Sequence, residues 1–203
     1  MRKNIIVICA STVLAVFFIV LTINVLNGNM DAWNVLVYWQ IAAFVNPVLT
    51  NIMMFLHYAG KWYVYLSIGI LFLIIPRFRK NIGIPLTLSV IASGFLTFVL
   101  KQGFAIERPG IYSLVSVSGY GHPSGHVTYG TAFIGMCVFL FLHHANKKFL
   151  KICAITFSAI FMLLMGFSRI YLGVHTPTDI IAGYLAGTFA VILCNLIWRL
   201  KKC

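Results

Sequence analysis

The sequence predicts an all-α protein, a six-transmembrane-helix bundle with a short amphipathic outer helical segment between the first two spans. Three observations predict it. The 203 residues are 61% hydrophobic, with a mean hydropathy of +0.98. Charged residues make up 9%, against about a quarter in soluble domains. Apolar runs near the roughly 17–25 residues that cross a bilayer recur along the chain.

The first run, Ile5 to Val25, follows Arg2 and Lys3. It exceeds the roughly 7–15 residues of a signal-peptide core and ends without an A-x-A-like cleavage site, so it reads as a retained anchor. Asn27 to Gly60 is too long for a turn and too broken by Asn, Asp31 and Pro47 to be a span. Within it, Trp33, Val35, Tyr38, Trp39, Ala42 and Val45 suggest an amphipathic helix along the outer surface, with aromatics at headgroup depth. Asn46-Pro47 then breaks the chain and starts a second short helix carrying Ile52, Met53, Leu56 and His57. His57 by itself reads as a polar interface residue rather than a ligand.

The remaining spans are Trp62 to Ile75, Ile84 to Leu100, Val127 to Leu142, Ile152 to Phe167 and Ile180 to Ile197. Two are short, so the second is expected to begin before Trp62 and the fourth near Ser124. No internal repeat, low-complexity tract or appended soluble domain interrupts the pattern, and residues 1–203 read as a single integral membrane domain.

The net charge of +12 could suggest a nucleic acid partner, but its distribution excludes one. Cytoplasmic loops are enriched in Lys and Arg. With six spans, one side holds Arg2, Lys3, Arg77, Arg79, Lys80, Lys147, Lys148, Lys151, Arg199, Lys201 and Lys202, eleven of the fifteen basic residues. That side is expected to be cytoplasmic and to carry both termini. The other side keeps Lys61, Lys101, Arg108 and Arg169 and all three acidic residues, Asp31, Glu107 and Asp179. Cys9, Cys137, Cys153, Cys194 and Cys203 fall in spans or at the cytoplasmic end, so no disulfide is expected.

Three stretches meet at the outer face: "KQGFAIERP" after the third span, "GHPSGH" opening the fourth, and "SRIYLGVHTPTD" joining the fifth to the sixth. They bring Lys101, Arg108, Ser124, His126, Ser168, Arg169, His175 and Asp179 together at a membrane boundary, where ionisable groups are expensive and mark function. The ligand implied is an anion, and phosphate fits best. Arg pairs its oxygens bidentately, Lys offers a point charge, and a helix beginning at Ser124 aims backbone N–H groups and its dipole at the same place. Each residue also has a structural reading: a snorkelling Lys101, an Arg108 paired with Glu107, a capping Ser124, and a capping-box variant in Thr176-Pro177-Thr178-Asp179.

Together these residues resemble the type 2 phosphatidic acid phosphatase superfamily of membrane lipid phosphatases. Its three-part signature, Lys-x6-Arg-Pro, Pro-Ser-Gly-His and Ser-Arg-x5-His-x3-Asp, is met without departure. The matches are Lys101 to Arg108-Pro109, Pro123-Ser124-Gly125-His126, and Ser168-Arg169 to His175 and Asp179. The small size is most like the bacterial phosphatidylglycerophosphate phosphatases.

The resemblance implies that His175 is the nucleophile, forming a phosphohistidine, with Asp179 on its other ring nitrogen and His126 as general acid. It further implies that Lys101, Arg108, Arg169, Ser124, Ser168 and the Gly125 backbone hold the phosphoryl oxygens. His122 and Glu107 match no signature position. His122 and His126 have the spacing of helical zinc ligands, but Pro123 suggests a helix start between them. Three acidic residues are also too few for a carboxylate-bridged two-metal site. No metal or other cofactor is expected.

The partners expected are a lipid phosphate and the bilayer, with no obligate protein partner. The substrate is read as phosphatidylglycerophosphate, or also phosphatidic acid, with undecaprenyl pyrophosphate as the rival. An anion transporter is the non-enzyme alternative, but it would need polar residues continuing through the spans, and these stop near the outer boundary.

Overall fold

The structure, a computed structural model, describes residues 2–109 and 113–200. Lys201, Lys202 and Cys203 lie outside the described residues, as do the side chains of Arg2, Lys3 and Arg199. Cys9, Cys137, Cys153 and Cys194 are free thiols.

Among the described residues every regular element is helical: α1 (Arg2–Leu26), α2 (Asp31–Ala42), α3 (Pro47–Ala59), α4 (Trp62–Ile74), α5 (Pro76–Phe78), α6 (Ile84–Phe104), α7 (Gly125–His144), α8 (Lys148–Tyr171) and α9 (Pro177–Leu200). A wide five-residue turn, Arg79–Gly83, joins α5 to α6 without a loop, so the stretch between the second and third expected spans is itself wound as helix. Pro76 makes this possible, since its fixed φ suits a first helical position.

Five stretches are long and apolar enough to cross a membrane: α1, the run Pro76–Phe104, α7, α8 and α9. As expected, α7 starts just after Ser124. The second expected span differs. α4 has 13 residues, about 20 Å of helix, short of the roughly 30 Å hydrocarbon core. Nor does it begin before Trp62, because Lys61 is extended and separates it from α3. At this break Gly60 approaches its neighbours so closely that a Cβ there would lie 2.7 Å from the Met165 side chain and 3.1 Å from His126.

The centre of the bundle is α7 against α9. Gly183 and Gly187, one helical turn apart, let the backbones meet: a Cβ on Gly183 would lie 2.9 Å from Val127 Cβ, and one on Gly187 2.6 Å from Thr131 Cβ. This is the small-xxx-small device of membrane helices. α6 and α4 close one side through Tyr65, Leu86, Val90, Phe133 and Met136. α1 lies outside, touching α9 through Phe18 against Ala182 and Ala186.

The expected helix of the 27–60 segment forms as α2, packed inward by one polar and one aromatic side chain. Asn34 and Tyr38 are buried, while Trp33, Val35 and Trp39 are exposed. The reason is polar: Asn34 Nδ2 donates to Thr178 Oγ1 (3.1 Å) and its Oδ1 accepts from Thr178 N (3.3 Å), pinning α2 to the start of α9. α3 is pinned at its own start, where Tyr171 of α8 meets Asn46 and Thr50. Both short helices are thereby folded against the ends of the spans that carry the signature residues.

Candidate active site

The first turn of α9 is a capping box in which Thr176 is the cap. Thr176 N donates to Asp179 Oδ2 (2.9 Å) and Asp179 N donates to Thr176 Oγ1 (3.3 Å), satisfying two helix-end donors reciprocally. Pro177 stands at the first helical position. The same carboxylate oxygen accepts from His175 Nδ1 (3.3 Å). One side chain thus both caps the helix and holds the His175 ring. That bond places the His175 proton on Nδ1 and leaves Nε2 with its lone pair, toward which Arg108 Nη1 points (3.1 Å).

His175 is 3% exposed and Asp179 2%. Burial holds the His175 imidazole far below the usual histidine range, to about 3. Asp179 pulls the other way, while Arg108 and Lys101 add to the depression. At neutral pH it is an unprotonated base facing a cation.

The cations converge differently. Arg108 donates Nε to the Gly119 carbonyl (2.9 Å), Nη1 to Val174 O (2.9 Å) and Nη2 to Ser118 O (3.2 Å), so backbone carbonyls rather than Glu107 hold it. Burial lowers its proton affinity and Asp179 opposes this. Lys101 turns back from the end of α6 to the carbonyls of Tyr120 and Gly121. A Cβ on Gly121 would lie 3.0 Å from Glu107 O and 3.4 Å from Arg108 Cα, so glycine lets the two loops approach without either giving way.

Arg169 is fully buried in α8. Its Nη1 donates to His57 Nδ1 (2.7 Å), while Nε and Nη2 find no hydrogen-bond partner among the described residues. Ser124 Oγ, also fully buried, is equally unpartnered and does not cap α7. Ser168 is different, because its hydroxyl donates to Met165 O (2.7 Å) within its own helix. Gly125 begins α7, and Ser124 N donates to the Asp179 carbonyl (3.0 Å), tying that start to α9.

His126 Nε2 donates to the His57 carbonyl (3.1 Å), and the two imidazoles stack with centroids 5.2 Å apart. His57 therefore touches both His126 and Arg169, which its isolated place in the sequence did not reveal. Burial, then Arg169, then Lys61 lower its proton affinity to a value of about 4, in keeping with a neutral ring accepting from Arg169.

His122 is likewise buried inside the site, with Nδ1 at 3.1 Å from Asp179 Oδ1 and Nε2 at 3.1 Å from Thr22 Oγ1 of α1. Its partners differ from that of His126, whose Nε2 meets the His57 carbonyl. A cavity of about 370 Å³ reaches His175, Asp179 and Arg108 from outside, between α2 and the 106–109 segment, with Asp31, Asn34 and Glu107 among its walls.

Comparison with known proteins agrees with this architecture. The undecaprenyl-diphosphatase of Sulfolobus acidocaldarius is 31% identical over 197 residues, covering 89% of this chain and 87% of that protein. Phosphatidylglycerophosphatase B of Bacillus subtilis is 31% identical over 103 residues, 48% of this chain and 49% of that protein. The crystal structure of the first transmembrane PAP2 type phosphatidylglycerolphosphate phosphatase from Bacillus subtilis superposes with a TM-score of 0.80 at 22% identity, covering 94% of this chain and 96% of that one. The family model of the PAP2 superfamily matches residues 82–202, which hold all three motifs. With more than half of the chain so matched and the archaeal relative aligned along most of it, the protein belongs to the PAP2 superfamily.

Proposed function

We propose that this chain hydrolyses the terminal phosphate of phosphatidylglycerophosphate, and also phosphatidic acid, through a phosphohistidine on His175 and without a metal ion. The coarser statement, that it is a lipid phosphatase and so a phosphoric monoester hydrolase, follows from its family. The observation that supports phosphoryl binding at this site is the group of buried, unpartnered donors, Arg169 Nε, Arg169 Nη2 and Ser124 Oγ. Such groups are costly unless an acceptor meets them, and a phosphoryl group brings three acceptor oxygens with matching charge.

In the proposed reaction His126 holds the His57 carbonyl with its Nε2–H and enters protonated on Nδ1 as well; His175 Nε2 attacks phosphorus, the bond to the lipid oxygen breaks, and the His126 Nδ1 proton passes to that oxygen, leaving a neutral ring. Water then attacks phosphorus, His126 takes the proton back, and the P–N bond breaks to release phosphate. Lys101, Arg108 and Arg169 oppose the charge that develops, which is the main requirement of phosphoryl transfer. Ser124 and the start of α7 at Gly125 add hydrogen bonds to the same oxygens. Ser168 joins them only by giving up its bond to Met165.

The side is assigned by charge. With six spans, eleven of the fifteen basic residues belong to the side opposite the site, and this supports cytoplasmic termini and a site at the extracytoplasmic face. A second reading, undecaprenyl pyrophosphate as substrate, is favoured by the reach of the archaeal undecaprenyl-diphosphatase match. Against it, the opening is walled by Asp31 and Glu107. These carboxylates accept hydrogen bonds from a glycerol hydroxyl but repel a second phosphate bonded directly to the first.

The test is phosphate release by the purified, detergent-solubilised protein from the three lipids with excess EDTA, beside His175→Ala. Expected is activity that survives EDTA, is fastest on phosphatidylglycerophosphate and vanishes in the variant. Loss of activity in EDTA, or a variant that still forms a labelled phosphoenzyme, overturns the mechanism.

A further inference from the structure

His122 lies in the site, matches no signature position and takes no part in the reaction as written above. Its surroundings fix its protons. Thr22 Oγ1 is 2.8 Å from Phe18 O and 3.1 Å from His122 Nε2. A carbonyl only accepts and a hydroxyl has one hydrogen, so that hydrogen goes to Phe18 O, and the Thr22 oxygen must receive from His122 Nε2. On the other edge of the ring, Asp179 Oδ1 stands 3.1 Å from Nδ1, and a carboxylate also only accepts. A ring with a single proton would set a lone pair against one of these oxygens.

We infer that His122 carries a proton on both ring nitrogens and is a positioning residue that, anchored to α1 through Thr22, fixes and charge-balances Asp179 behind the nucleophile.

The rest of the His122 surroundings agree. Phe18 and Phe104 cover its faces, with centroids at 5.9 and 6.3 Å, and the ring is fully buried. Asp179 is its one anionic neighbour among the described residues. Lys101 approaches only through the carbonyl of the preceding residue, Gly121. A buried cation and anion so placed need one another, because removing either leaves the other uncompensated. Asp179 then accepts three bonds, from His122 Nδ1, His175 Nδ1 and Thr176 N, and cannot rotate.

The consequence rests on His175 being the nucleophile. When phosphorylated on Nε2 while keeping its Nδ1 proton, the His175 ring becomes cationic, and Asp179 stabilises it. His122 offsets part of that stabilisation. The phosphoenzyme is therefore kept reactive, and the free imidazole binds protons less readily than a lone carboxylate behind it would dictate. The other titratable groups around His175 are Arg108, Lys101 and His126.

The test combines a spectrum with kinetics. Protein labelled with ¹⁵N-histidine is examined in detergent at neutral pH, with His122 assigned by the signal lost in His122→Gln or, should that variant not fold, by the signal displaced in Thr22→Val. Both nitrogens of His122 are expected to carry hydrogen. His122→Gln, or Thr22→Val in its place, is expected to lengthen the life of the phosphoenzyme, lower kcat more than it raises KM, and move the acid limb of the rate profile to higher pH.

A His122 ring with one bare nitrogen overturns the inference. So does a variant whose phosphoenzyme lifetime and pH profile match the wild type, as a merely structural role predicts. The His175 reading fails separately, by phosphoenzyme label persisting in His175→Ala, and leaves the His122 spectrum untouched.

Discussion

His57 shows how a residue with no motif around it enters the site. Its Nδ1 orients Arg169, its backbone carbonyl orients His126, and its ring stacks on His126. His57→Ala should therefore lower kcat by about ten- to a hundredfold, less than the roughly 10²–10⁴ that a general acid itself contributes, as measured by phosphate release from lipid in micelles. The same variant should change the response to acid. In the folded protein His57 takes a proton only near a pH of about 4, against 6.5 when exposed. As pH falls through that window the unfolded chain binds a proton that the folded one refuses, so the wild type loses stability there. Thermal unfolding in detergent across the window should show a smaller loss in His57→Ala; an equal loss sinks this account. The signature residues were legible because fixed spacings carry them. His57, His122 and Thr22 were not, because their roles are set by contacts across 69 to 112 positions of chain, with no periodicity to mark them.

The helices themselves follow the apolar pattern, and where they depart from it a local reason exists. α7 and α8 extend beyond their expected ends into His143, His144 and Lys148, since polar residues continue a helix at the membrane surface without penalty. The α3–α4 break escaped hydropathy because Gly60 and Lys61 interrupt the backbone between two runs that are both apolar. Packing was the least legible feature. The pair Gly183 and Gly187 reads as neutral composition, yet it sets the distance between the two helices that carry Ser124, His126 and Asp179. Gly187→Leu would drive a side chain into Thr131 Cβ and the Thr128 carbonyl, at 2.6 and 2.7 Å from a Cβ. Overpacking of this kind costs about 1–3 kcal/mol. The variant should unfold at lower temperature and lose activity in parallel, whereas Gly103→Ala, which meets nothing within 4 Å, should lose neither.

At the scale of the whole molecule the charges are divided twice. The sequence predicts that the basic residues divide between the two ends of the bundle, a reading that needs only the order of the spans. The three acidic residues divide around the site: Asp179 is buried behind His175, while Asp31 and Glu107 line the opening. This second division arises because α2 folds back onto α9 through Asn34 and Thr178, and no linear pattern shows it. It places two carboxylates beside the cavity that reaches Arg108 and His175, and in the proposed reading their charge acts against a diphosphate. Replacing both, as Asp31→Asn with Glu107→Gln, should raise kcat/KM for undecaprenyl pyrophosphate relative to phosphatidylglycerophosphate by about fivefold at low salt. The gain should shrink as ionic strength rises and the Debye length falls toward about 8 Å. Equal effects on both lipids would mean that the opening does not select by charge, and a ratio moving in the opposite direction would favour the diphosphate as the substrate for which this opening is built.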